Sequence, residues 1–231
     1  MLDNSQGKMF LAAERGHTES DWFRSYNTFN FGNYRHEHKT PFGPLYVFND
    51  DTLAGGKKIS LLVEEDSTII LLPTVGAIIF VDSLGHESMI EAGQAQVYAA
   101  KKDTSILIGN PYDDELINFL QIWIRQPAVV RGEPLLTSFD LVHNKNKLVE
   151  ISKAGSLHKS FIGKFGGREE AVHTLNPGNG LFVFVLEGAF EVQYRLLETR
   201  DGLALWNAQK VELEALSNEA IILLLELPLS S

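Results

Sequence analysis

Apolar positions in this chain come in short runs of five to nine residues, separated by Gly, Pro, Asn and Asp. Residues 68–72 and 77–81 flank a Pro73-Thr74-Val75-Gly76 turn. Residues 116–124 alternate in part and are rich in β-branched and aromatic side chains. Residues 181–186 and 189–194 flank Glu187-Gly188, and residues 220–227 form a last apolar run. Runs of this length between turn formers predict strands. Continuous rather than alternating runs predict strands covered on both faces, as in a sandwich or barrel. Residues 168–173 are charged and suit one helical turn, but Gly166-Gly167 before them and Pro177 after leave little room. The predicted class is all-β.

The pattern recurs. Gly76 and Gly188 each punctuate a strand pair, and Gly93 and Gly202 follow at similar distances before a final apolar strand. Two tandem β units explain this recurrence. Residues 126–134, with two prolines and a glycine, interrupt the pattern, so the expected domains are 1–130 and 131–231.

Composition narrows the functional classes. The chain has 231 residues, 44% of them hydrophobic and 22% charged, which is ordinary for a folded globular protein. Net charge is −10, and the short basic stretches at Lys57-Lys58, Lys101-Lys102 and 143–147 make no patch for phosphates, so no nucleic-acid partner is expected. Cysteine is absent, which removes thiolate chemistry and fits a reducing cytoplasm. Residues 1–8 lack signal-peptide character, and the longest apolar stretch, 69–81, is too short to span a membrane as a helix.

Several motifs in one order resemble the pirin family. Glu14-Arg15-Gly16-His17, Trp22-Phe23-Arg24-Ser25 and Thr28-Phe29-Asn30-Phe31 are similar to its opening. Phe42-Gly43-Pro44-Leu45, Val47-Phe48-Asn49-Asp50-Asp51, Asp82-Ser83-Leu84-Gly85, Gly93, Gln96, Asn110-Pro111 and residues 120–124 continue the match. It covers about the first 125 residues; beyond Leu136 the likeness lies in layout. The resemblance implies a bicupin: two tandem double-stranded β-helix, or jelly-roll, barrels. It also implies one iron-like metal in the first barrel, held by three histidines and a glutamate, and in some members a site like that of quercetin dioxygenases.

At those ligand positions this chain departs from the family. Counting from Asp51, or back from Asp82, places the paired histidines at Leu62 and Glu64. Counting from Gly93 to Asn110 places the other two ligands at Ile106 and Ile108. Aliphatic side chains carry no lone pairs, and one carboxylate alone makes a poor transition-metal site. The expectation is therefore a vestigial pocket at Leu62, Glu64, Ile106 and Ile108, packed or apolar inside, with Glu64 an anomaly if buried. No metal or other cofactor and no catalytic residue is assigned.

Other candidate groups read as structure. His36-Glu37-His38 has paired-ligand spacing but belongs to a loop with no third ligand. His158 and His173 are fifteen residues apart and read as strand-end surface groups. The segment 163–167 reads as a turn, lacking a phosphate loop's spacing. Glu64-Glu65-Asp66 and Asp113-Asp114-Glu115 read as solvated turns, and Asp50-Asp51 as turn caps. The expected function is a metal-free, non-enzymatic pirin-like protein, monomer or weak dimer, that binds a small apolar ligand or protein partner or acts as a scaffold. The alternatives are a quercetinase-like oxygenase or isomerase using a different pocket, built on convergence of His143, His158 and His173 with an acid, or a transcriptional co-regulator acting through protein partners.

Overall fold

The computed structural model describes residues 5–126, 134–152 and 156–229. Among these the chain is strand and loop, with one 3-10 turn at Ala12–Glu14. Among the described residues no helix is long and apolar enough to cross a membrane. The segment expected as a helical turn is instead the strand Glu170–Thr174, which alternates exposed and inward positions. Ala171 and His173 face in, and that period-two burial outweighs the charge.

The chain divides into two compact units, residues 16–138 and residues 1–15 with 139–231. The expected boundary at 130/131 lies outside the described residues. Each unit pairs a large antiparallel sheet with a four-stranded one. In the first unit the large sheet runs Leu135–Ser138, Gln94–Ala100, Ser67–Val75, Ile117–Arg125, Leu45–Leu53, Phe23–Asn27, Gly16–Glu19. The facing sheet runs Lys58–Leu62, Ser105–Gly109, Ala77–Val81, Glu87–Glu91. In the second the large sheet runs Gln6–Phe10, Gly202–Trp206, Asn179–Glu187, Ala220–Pro228, Lys159–Phe165, Lys147–Glu150. Its partner runs Glu170–Thr174, Lys210–Ala215, Phe190–Val192, Arg195–Leu197.

The two large sheets share a connectivity, which is the physical content of the sequence repeat. Gly76 and Gly188, both at positive φ, turn the chain from the large sheet into the small one in each unit. The turn is tighter than expected: Pro73 is inside the strand Ser67–Val75, at a register irregularity opposite Phe119, where its missing N–H is tolerated. Gly163 is likewise in a strand rather than a turn, and a Cβ there would meet the Lys147 carbonyl at 2.8 Å. The edge strands are exchanged in sequence. Gln6–Phe10 completes the unit built from residues after 139, and Leu135–Ser138 completes the unit that precedes it.

Each sandwich has its own apolar interior. In the first, Val47, Leu53, Ile69, Leu71, Phe119 and Trp123 of the large sheet meet Ile59, Val63, Phe80, Ile106 and Ile108 of the small one. In the second, Leu181, Val183, Val185, Ile222 and Leu224 meet Val211, Leu213 and Phe190. The large-sheet strands are buried on both faces, which is why their sequences read as unbroken apolar runs.

Candidate functional site

The four family ligand positions do not converge. Ile106 and Ile108 are 1% and 0% exposed and pack in the first interior. Leu62 is 58% exposed, and Glu64 is also exposed. The strand Lys58–Leu62 turns Ile59 and Leu61 inward, followed by Val63; Ile106 pairs with Leu61 and Ile108 with Ile59. The expected pocket is thus corrected by one residue on one strand, and a one-residue step exchanges the faces. The inward positions remain aliphatic, and Glu64 has solvent rather than a buried partner. The donor set at these positions does not fit a metal ion. Among the described residues no group of three or more His, Cys, Asp or Glu could hold one.

Polarity is concentrated on the opposite wall of that interior. Asn27, Asn49 and Gln121 lie in register across three neighbouring strands, with Ser25 and Asp51 one step along. All five are buried and share the face of Val47, Leu53 and Trp123. Past Leu71, the row continues to Gln96, whose Oε1 accepts a hydrogen bond from Ser88 Oγ of the facing sheet at 2.6 Å. Gln121 Nε2 donates to Asp51, Asn27 Nδ2 donates to Ser25 Oγ at 2.9 Å, and Ser25 in turn bonds Asp51. Burial pushes the Asp51 carboxyl up to about 7, against the lowering pull of the Ser25 and Gln121 hydrogen bonds. Asp50-Asp51 is therefore not a turn cap; both residues are inside the strand Leu45–Leu53.

This layer is incompletely satisfied. Asn49 Nδ2 and Oδ1, Asp51 Oδ1, Gln121 Oε1, Gln96 Nε2 and Trp123 Nε1 are buried without a hydrogen-bond partner. Each such atom costs about 1–3 kcal/mol. Buried polar atoms are normally paired, by protein or by ordered water.

The second sandwich handles its polar groups differently. Glu226 extends inward from the central strand Ala220–Pro228, beside Leu181. Its Oε2 meets His173 Nε2 at 2.9 Å across the two sheets, and its Oε1 accepts from the Asn176 N–H at 2.8 Å and Asn179 Nδ2 at 2.7 Å. Burial opposes its ionisation, but these hydrogen bonds outweigh burial and hold the carboxyl below the usual carboxylate range. The contact with the carboxylate fixes the orientation of the His173 ring. The His173 ring also packs against Phe161, with centroids 4.9 Å apart. Beside this pair a cavity of about 770 Å³ opens between the loops at 174–179 and 206–210, with Trp206 and Leu175 among its walls.

The other histidines do not join them. His158, expected at the surface, is buried with Nε2 unpartnered, and burial pushes its pKa down to about 4. His143 is exposed and bonds Asp140 through Nδ1 at 2.6 Å. The expected convergence of His143, His158 and His173 on one acid is not found: His143 bonds Asp140, His173 bonds Glu226, and His158 Nε2 bonds neither. His36 and His38 lie in an exposed loop, their rings 5.6 Å apart. In the first acidic stretch, Glu65 pairs with Arg125 and Asp66 accepts the Lys102 N–H.

Two such sandwiches in one chain define a bicupin. Residues 153–227 match the family model described as the quercetinase C-terminal cupin domain. Over 94% of this chain and 96% of the relative, the sequence is 26% identical to quercetin 2,3-dioxygenase of Escherichia coli strain K12. A putative quercetin 2,3-dioxygenase of Pseudomonas aeruginosa is 27% identical over 90% of this chain and 94% of its own length. The crystal structure of YhhW from Escherichia coli, 26% identical, superposes with a TM-score of 0.84 over 96% of this chain and 98% of that one. Bacterial pirin YhhW has also been solved in complex with nickel(II); at 24% identity and a TM-score of 0.84, that structure covers 96% of this chain and 99% of its own. The chain is a pirin-like bicupin of the cupin superfamily. These findings overturn the expectation of a non-enzymatic, metal-free binding or scaffolding protein, because relatives matched along nearly the whole chain carry the name of an enzyme.

Proposed function

We propose that this chain is an oxygenase of the quercetinase type, acting on a planar polyhydroxylated aromatic substrate. The observation that carries the reading is the match, over nearly the full length, to proteins named quercetin 2,3-dioxygenase. The family's nickel-binding relative suggests a metal, but the residues at the corresponding positions here do not fit one. The pocket that suits a flavonol is the cavity of about 770 Å³ in the second sandwich, within the usual volume for such ligands. Trp206 offers it an aromatic wall. Asn176 and Asn179 also line it, both held by the Glu226 carboxylate. The cysteine-free composition supports a cytoplasmic setting for this activity.

Oxygen uptake on addition of quercetin tests the proposal, measured with and without added nickel(II) or iron(II). The expected result is quercetin-dependent uptake that falls about tenfold in kcat/KM for Trp206→Ala, which removes the aromatic wall. No uptake under either condition rejects the proposal.

A further inference from the structure

The two small sheets hold equivalent places in their sandwiches, yet their outward faces differ. In the second unit Glu170, Glu214 and Glu191 lie in register across three strands of the outward face, with Glu212 beside them. Aligned carboxylates keep such a face wet and repel a second copy. In the first unit Ile78, Phe80, Ile90, Ile106 and Ile108 point into the core. Strand alternation therefore turns Ile79, Val81, Met89 and Leu107 outward, and Leu62 joins them from the edge. Leu62 and Met89 are 58% and 54% exposed.

This apolar face carries opposite charges at its two edges. Lys58 lies on one edge strand, and Glu87 and Glu91 lie on the other. Three strand spacings, about 14 Å, separate those edges, so the charges do not meet within one chain. All three side chains are exposed, and none has an ion-pair partner among the described residues. The Lys58 stem lies across Gly109, where a Cβ would meet its Cγ at 3.3 Å. The lysine is thus laid along the face rather than away from it.

Register decides which partner fits. Lys58, Gly109, Ile79 and Met89 form one row across the four strands, and Ser60, Leu107, Val81 and Glu87 form the next. A two-fold axis parallel to the strands sets the Lys58 edge of one copy over the glutamate edge of the other. Lys58 then falls opposite Met89, between Glu87 and Glu91, and Leu107 falls opposite Val81. The match occurs twice, as a two-fold interface requires. A two-fold axis across the strands would instead set lysine edge over lysine edge and glutamate edge over glutamate edge.

We propose that the outward face of the small sheet in the first sandwich is an interface with a second copy of this chain, formed about a two-fold axis parallel to its strands. The face measures about 20 Å by 17 Å from strand spacing and rise. Two such faces bury less than the ~1,200 Å² of a standard stable interface, so the dimer is weak and forms at high protein concentration. The interface stands independently of the oxygenase reading.

Sedimentation equilibrium of the full chain, from about 10 µM to about 1 mM, tests the proposal. A reversible monomer–dimer equilibrium is expected. Leu107→Glu should abolish it, and Lys58→Glu should weaken it at least about tenfold. Adding Glu87→Lys and Glu91→Lys to Lys58→Glu should restore it. Lys58, Glu87 and Glu91 are exposed, so these variants decide the matter even where Leu107→Glu unfolds the chain. A monomer throughout the range overturns the proposal, as does a dimer that Lys58→Glu leaves unchanged. Failure of the exchanged charges to restore association overturns it too.

Discussion

Asp51 and Glu226 are both carboxylates on long strands of the large sheets, and both are buried inside their own sandwich. Glu226 receives a backbone N–H, an amide and an imidazole, and stays ionised. Asp51 has an amide and a hydroxyl, with Asp50 beside it, and its carboxyl rises to about 7. Burial opposes the charge in both. Asp51 lies deeper and has fewer donors, and both differences push its carboxyl up relative to that of Glu226.

The largest test of that contrast removes each carboxylate. Glu226→Ala should cost about 3–5 kcal/mol in urea unfolding, since it strands His173, Asn176 and Asn179 donors in the interior. Asp51→Asn should cost little or stabilise. Equal losses would break the contrast.

The next test uses pH. Asp51 has a folded pKa above its unfolded value of 3.8, so its contribution is fully present below about pH 4 and is lost as pH rises towards 7. His158 has a folded pKa of about 4, below the ordinary 6.5, so its contribution is present above pH 6.5 and is lost as pH falls towards 4. The two oppose each other across that window, Asp51 by about 4 kcal/mol and His158 by about 3 kcal/mol. Asp51→Asn should therefore steepen acid destabilisation, and His158→Leu should make stability rise on acidification. Urea midpoints between pH 4.5 and 7.5 would show it; unchanged profiles would refute the assignment.

The smallest test concerns register. Leu62→Ala should change stability by no more than about 0.5 kcal/mol, as an outward position does. A loss comparable to a buried aliphatic truncation would return Leu62 to the interior.

The strands and their glycine turns were legible because apolar runs and Gly76, Gly93 and Gly188 are local signals. The side on which Leu62 lies was also readable, though an ungapped count missed it. Ile59, Leu61 and Val63 alternate with Ser60, Leu62 and Glu64, and that alternation, not the distance from Asp51, decides which face is buried. Asp51 looked like a turn because acids favour turns, yet it lies between Val47 and Leu53 in a strand. The His173–Glu226 pair spans 53 residues and two sheets, so no spacing rule reaches it.

The exchanged edge strand has a consequence for synthesis. Gln6 pairs with Trp206 and Phe10 with Gly202, so the opening strand leaves the ribosome about 200 residues before its partner. At roughly 5–20 residues per second, that is a wait of about 10–40 s with one strand unmatched. The segment Gln6-Gly7-Lys8-Met9-Phe10 carries a lysine at its centre, the kind of charge that discourages a bare strand from pairing with another nascent chain.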